Sequence, residues 1–209
     1  YQTQNTTHDT QACHACLESQ YIIDPDEDAC EKCPPGLECQ GDHVVVSVVE
    51  NATWSAENGV YKLQSCPWGY SRRSIDDGTA ADQQKCEPCA AGTECVLEVC
   101  ETCSHCAAGK YKDAAGTQAC RNCPQNTYNP NTNSKAFANC LPCPNGADTD
   151  GLDGRTSSDA CQCGDRYYLA GAGGSGISCA SCPSGAMCNT GVCALRSQDQ
   201  ACPGSSDSI

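Results

Sequence analysis

The amino-acid sequence predicts a small disulfide-rich fold: an elongated array of short β/turn modules with little helix. Three observations carry that prediction. There are 23 Cys in 209 residues, a density typical of disulfide scaffolds in oxidising compartments. Large apolar residues are scarce, with 1 Phe, 1 Met and 2 Trp, so one large core is excluded and small stapled modules are the expected solution. Cysteine pairs recur along the chain, most regularly over residues 103–182, with Gly, Asn, Asp, Ser and Thr filling the intervals.

The net charge of -14 argues against nucleic-acid partners and anionic lipid surfaces. No apolar run approaches the roughly 20 residues of a membrane span, so no membrane insertion by this segment is expected. The chain begins at Tyr1 with no initiator Met and no signal-like stretch, and reads as a mature or cropped piece of something longer.

The elements follow in order. Residues 1–33 form a first cysteine-rich repeat, with Cys13 and Cys16, then Tyr21, then Cys30 and Cys33; Asp24, Asp26 and Asp28 make an acidic turn. Residues 30–89 form a module with a long insertion between Cys39 and Cys66. Its β-branched run at 44–49, its alternating run at 60–63 and the Asn58-Gly59 turn signal predict a β-hairpin, packed on Trp54 or Trp68. Residues 86–106 form a compact module. Residues 103–182 form four repeats, starting near 103, 120, 140 and 161. Residues 179–209 form a terminal module with a loose Gly/Ser/Asp-rich tail.

Two repeat types are visible. In the first, a Tyr follows the second Cys of a pair by five residues: Tyr21, Tyr111, Tyr128 and Tyr168, with Asp148 as the exception. Such a Tyr suits a place flat over a neighbouring disulfide, supplying apolar area that a tiny module otherwise lacks. In the second, the pattern C-x2-C-x2-G-x2-C recurs with Gly36, Gly92 and Gly185, and the fixed Gly offset predicts a tight turn.

These patterns suggest a wiring. First-type repeats join neighbouring pairs: Cys16–Cys30, Cys106–Cys120, Cys123–Cys140, Cys143–Cys161 and Cys163–Cys179. Second-type units nest: Cys33–Cys86 around Cys39–Cys66, Cys89–Cys103 around Cys95–Cys100, and Cys182–Cys202 around Cys188–Cys193. Cys13 is left over, to pair upstream of the chain's start, to stay free or to bridge molecules. Loops of 14 to 18 residues are each worth about 3 kcal/mol in the chain-entropy account.

The text Cys103-Ser-His-Cys106-Ala-Ala-Gly109-Lys-Tyr111, followed by Cys120-Arg-Asn-Cys123-Pro124, resembles the ephrin-receptor-like cysteine-rich repeat. That repeat is similar in turn to tumour-necrosis-factor-receptor modules. The resemblance covers residues 103–182, and 13–33 in part. The stretch Gly59-Val-Tyr61-Lys-Leu63-Gln-Ser-Cys66-Pro-Trp-Gly69-Tyr70 looks like text of large protist surface proteins. The resemblance implies extracellular, non-enzymatic rods. Asp148 in place of Tyr and the shortened pair Cys161-Gln-Cys163 depart from the pattern.

Other chemistries fit less well. All-thiolate zinc sites use four thiolates each, and the cysteine density points to bridges instead. Thiol redox catalysis needs a low-pKa Cys at a helix start, and no such pattern is present. His8, His14, His43 and His105 lack the framework of a nucleophile elbow. Calcium is the remaining small-ligand candidate, through Asp148, Asp150 and Asp153 in a Gly-bent loop. Asn5 and Asn51 open N-glycosylation sequons.

The expected protein is therefore a non-enzymatic extracellular or cell-surface segment of a large surface, matrix or appendage (filament) protein, without a required cofactor. Its expected partners are copies of itself, neighbouring surface proteins and N-glycans. A ligand-binding receptor ectodomain is the alternative, one that predicts an exposed apolar patch.

Overall fold

The computed structural model describes residues 2–4, 12–26, 28–74, 83–171, 178–189 and 192–195. Among these residues every sheet is a two-stranded pair, and the only helical turns are 3-10 segments at Phe137–Asn139 and Ser158–Ala160. This is the small disulfide-rich β/turn array that the composition predicts. An isolated hairpin is marginal in water, so each pair here is held by a bridge, a neighbouring turn or both. The chain divides into two compact units.

The first unit comprises Tyr1–Ala90, Glu94–Ser104 and Ala115–Ala119. Gln20–Tyr21 pairs with Glu31–Lys32, Leu37–Cys39 with Val45–Ser47, Thr53–Glu57 with Val60–Ser65, and Tyr70–Ser74 with Gln84–Pro88. Asn58 and Gly59 both have left-handed backbone, with φ of 52° and 76°. Two successive positive φ values define the type I′ hairpin turn, which only Asn, Asp and Gly enter readily.

The strand partners correct the expected hairpin. The run at 60–63 pairs with Thr53–Glu57, whereas the valine run turns back onto Leu37–Cys39. A two-residue turn demands partners that flank it directly, which residues 44–49 do not. Trp54, not Trp68, is the packing partner. It lies with Val49, Ala52 and Tyr70 against the buried cluster of Leu63, Cys66 and Cys86, while Trp68 is exposed.

The second unit comprises Ala91–Thr93, His105–Ala114 and Cys120–Ile209. Its hairpins follow one another along the chain: Lys110–Tyr111 with Arg121–Asn122, Thr127–Tyr128 with Leu141–Pro142, Ala147–Asp148 with Gln162–Cys163, Tyr167–Ala170 with Ser178–Ser181, and Ala186–Asn189 with Val192–Leu195. Each 3-10 turn delivers a bridging cysteine, Cys140 or Cys161.

One turn recurs from Cys89 onward. Three residues after the second Cys of a pair, the backbone is left-handed: φ is 80° at Gly92, 80° at Gly109, 64° at Asn126, 82° at Gly146, 71° at Arg166 and 87° at Gly185. The turn is closed by a hydrogen bond from the residue four after the Cys to the carbonyl one after it. Examples are Lys110 N–H to Ala107 O at 3.2 Å and Ala186 N–H to Pro183 O at 3.0 Å. A positive φ at the third turn position is the mark of a type II turn. The two repeat types of the sequence therefore share one local structure.

Gly36 occupies the same offset without a left-handed backbone. Its reason is space: a Cβ there would come within 2.7 Å of Trp54 Cζ2 and 2.8 Å of Gln84 O.

Candidate functional site: the disulfide ladder and its exposed faces

The five bridges between neighbouring pairs are all present: Cys16–Cys30, Cys106–Cys120, Cys123–Cys140, Cys143–Cys161 and Cys163–Cys179. Cys89–Cys103 and Cys95–Cys100 also join as the nested scheme requires. The other two nests do not form. Cys33 bonds to Cys39 and Cys66 to Cys86, instead of Cys33–Cys86 and Cys39–Cys66.

The cause is local. The turn from Pro34 to Leu37 folds Cys33 back over Cys39, with Cα atoms 6.0 Å apart. The hairpin of Tyr70–Ser74 and Gln84–Pro88 then returns Cys86 to Cys66, at 5.6 Å. Both separations suit a bridge. Likewise Cys182 bonds to Cys188, not to Cys202. Cys188 and Cys193 face each other in strand register, but Cys188 is already used. Cys202 and the side chains of Cys13 and Cys193 lie outside the described residues.

The bridges are knitted by backbone hydrogen bonds that skip from repeat to repeat. Within the second unit, Cys106 N–H donates to Gly92 O at 2.8 Å, Cys123 N–H to Gly109 O at 2.8 Å and Cys143 N–H to Asn126 O at 2.9 Å. Each of these carbonyls belongs to the left-handed turn residue of the preceding pair. The following repeat then reaches back: Asn133 N–H donates to Cys106 O at 2.9 Å and Gly154 N–H to Cys123 O at 2.8 Å. Residues far apart in sequence thus satisfy each other's backbone groups, which a hairpin of two residues per strand cannot do alone.

The tyrosines add the apolar filling. Tyr111 packs against Cys123 and Cys140, the bridge of the next repeat, and meets the Phe137 ring edge-on at 5.7 Å. Tyr168 packs beside Cys182 and Cys188. Tyr21 is fully buried, its ring 5.0 Å from that of Tyr61, and its hydroxyl accepts from Tyr61 N–H at 3.0 Å. Burial raises the Tyr21 phenol above its ordinary value of 10.0, while the Tyr61 N–H pulls the other way. Burial likewise raises Tyr61.

Buried polar residues escape a reading based on cysteine and tyrosine, Asn129 and Thr149 among them. Asn129 is 0% exposed; its amide donates to Lys110 O at 3.0 Å and Ser134 Oγ at 2.8 Å, and its Oδ1 accepts from Asn131 N–H at 3.1 Å. Thr149 is buried and clasps Asn126, whose N–H donates to Thr149 Oγ1 at 2.9 Å. The Asn129-Pro130 pair was the available signal for the first, as a turn initiator.

The acidic loop does not assemble as a calcium site. Asp148 turns its Oδ1 onto Asp150 N–H at 2.9 Å, and Asp153 accepts from Asn122 Nδ2 at 3.1 Å. Among the described residues no group of three or more His, Cys, Asp or Glu is placed to hold a metal ion. The turn at 24–28 is also closed on itself, with Asp24 N–H donating to Asp28 Oδ2 at 2.9 Å. Asn51 is exposed, with φ of 63°, in the turn that leads through Ala52 into the strand Thr53–Glu57. Asn5 and His8 lie outside the described residues. Among the described residues no helix is long and apolar enough to cross a membrane.

Exposed apolar side chains gather in two places on the first unit. Val44, Val46 and Val48 alternate along and beside one strand. Val96, Leu97 and Val99 crown the loop closed by Cys95–Cys100, with exposed Glu98 among them. In the second unit a cavity of about 670 Å³ is lined by Arg166, Tyr167, Pro183, Met187 and the Cys182–Cys188 bridge.

No curated protein matches the chain. Residues 96–140 match the family model described as tyrosine-protein kinase ephrin type A/B receptor-like. The match takes in the Cys106–Cys120 and Cys123–Cys140 bridges, the Gly109 turn and Tyr111, so residues 96–140 are a cysteine-rich receptor-like repeat.

Proposed function

We propose that the chain is a non-enzymatic extracellular segment of a larger cell-surface, matrix or appendage protein, and that it works by stiff, bridge-locked repeats that assemble with other proteins. One observation carries this reading: the interlocked series in which the turn carbonyls of Gly92, Gly109 and Asn126, the carbonyls of Cys106 and Cys123, and the ring of Tyr111 are each completed by the following repeat. Such coupling resists local opening, because fraying one hairpin breaks bonds in two repeats. Covalent bridges in an oxidising compartment add protease resistance. Asn51 is a glycan acceptor in this reading, and the acidic surface keeps the segment solvated.

A ligand-binding ectodomain is the second reading. It is favoured by the receptor-like match over residues 96–140 and by the exposed apolar residues at 96–99. The two are separated by where the protein sits. Antibodies raised to the chain, applied to intact cells and seen by immunogold electron microscopy, should label a continuous external layer or appendage. Sparse labelling that clusters only when a ligand is added would favour the receptor. Label confined to the cell interior would overturn both.

A further inference from the structure

Resting on the assembly reading above, we infer that residues 96–99 of one copy dock into the cavity at Arg166 of another. The loop is built as a knob. The Cys95–Cys100 bridge closes a loop of only four residues, so Val96, Leu97, Glu98 and Val99 are held out together, all exposed, with Val96 and Val99 at 56% and Leu97 at 67%. A bridge this short costs the loop little further entropy on binding. Exposed apolar residues gathered around one carboxylate mark a contact surface with an orienting charge.

The pocket, open to solvent, is the complementary surface. Tyr167, Met187 and Pro183 provide apolar walls, the Cys182–Cys188 bridge lines it, and Arg166 is its cation. Its volume of about 670 Å³ lies within the range of roughly 300–1,000 Å³ usual for binding pockets. Arginine itself is the odd residue here. At the same turn position Gly92, Gly109, Gly146 and Gly185 are glycine and Asn126 is asparagine, all with positive φ; Arg166 adopts φ of 71° without the freedom of either. A side chain kept in a strained backbone position points to a use for that side chain.

Charge decides the occupant. The chain carries 26 Asp and Glu against 12 Lys and Arg, so like surfaces repel. A contact between copies needs a place where an acidic side chain meets an unlike one. Glu98 meeting Arg166, flanked by apolar partners on both sides, supplies it. Because knob and hole are different surfaces, the contact is heterologous, joining the loop of one copy to the pocket of the next.

The test is sedimentation velocity of the intact protein from micromolar to submillimolar concentration. The average mass should rise above that of the monomer as concentration increases. Glu98→Arg and Arg166→Glu should each weaken association by about tenfold or more, and the double variant E98R/R166E should restore it. Both positions are exposed, and near-ultraviolet circular dichroism should confirm that each variant keeps the native fold. Arg166→Gly, which places in the turn the residue its siblings use, tests the same loss without a new charge. Association that none of these variants changes would overturn the docking and leave the assembly reading standing. Single losses without rescue in the double variant would also overturn it. A protein that stays monomeric throughout would overturn both the docking and assembly between copies.

Discussion

Replacing Gly109 by alanine tests the interlocked repeats most sharply, with Gly151→Ala as the control. Both residues are left-handed, with φ of 80° and 71°. Alanine in that conformation costs about 1 kcal/mol. At Gly151 nothing lies within 4 Å of the new Cβ, so the cost stops there. At Gly109 the Cβ would clash with the carbonyl oxygen of Gly154 and come within 2.8 Å of its carbon. The obstacle is backbone, and it is pinned, because Gly154 N–H donates to Cys123 O at 2.8 Å while Cys123 N–H donates to Gly109 O at 2.8 Å. Overpacking a fixed neighbour adds about 1–3 kcal/mol, giving roughly 2–4 kcal/mol in all. Amide hydrogen exchange with the bridges intact reads this locally. Protection at Cys123 and Gly154 should fall by roughly 30- to 700-fold in Gly109→Ala and by about fivefold or less in Gly151→Ala. Equal effects in the two variants would refute the claim that repeats are locked by close backbone contact.

Further perturbations reach other parts of the account. Cys39→Ser should expose Cys33 as the new reactive thiol in alkylation mapping; exposure of Cys66 instead would restore the nested wiring. Arg166→Gly should stabilise the protein by about 1 kcal/mol and so raise its urea midpoint, because it relieves a left-handed non-glycine residue; a loss of stability would show that the side chain braces the fold. The folded state holds the Tyr21 proton more tightly than the unfolded state, since burial raises its pKa. That contribution is whole below about pH 10 and is lost as pH rises through the folded value. Tyr21→Phe should therefore flatten the alkaline fall in stability while costing about 1 kcal/mol at neutral pH, through the lost bond to Tyr61 N–H; an unchanged alkaline limb would place the effect elsewhere. Secreted from eukaryotic cells, the protein should lose mass on glycosidase treatment, with the glycan mapping to Asn51; an unmodified Asn51 peptide would remove that site.

What was legible in the sequence was whatever one residue type announces alone. Cysteine spacing specified the neighbouring-pair bridges from Cys106 to Cys179, because one hairpin per repeat brings consecutive pairs together although the separations run from 14 to 18. The Asn58-Gly59 turn was legible because few residues accept its backbone. The partners of that turn were not. β-branched content marked residues 44–49 as a strand, but pairing is a property of two segments, and the nearer Leu37–Cys39 competes at lower loop entropy. The nested bridges failed for a related reason. The identical pattern around Cys33, Cys89 and Cys182 is wired in two ways: Cys95 bonds to Cys100, whereas Cys39 and Cys188 turn back to Cys33 and Cys182. Spacing alone does not distinguish these outcomes. The acidic loop misled in another way, since its carboxylates cap their own turn and bind Asn122, a use for Asp that composition cannot separate from cation binding.

The most direct single measurement is peptide mapping of the unreduced protein by mass spectrometry, with thiol titration and metal analysis on the same sample. The account predicts Cys33–Cys39, Cys66–Cys86 and the unbroken series Cys106–Cys120, Cys123–Cys140, Cys143–Cys161 and Cys163–Cys179, without stoichiometric metal. Many free thiols accompanied by bound zinc would contradict the bridge-locked array, the compartment and the proposed function together.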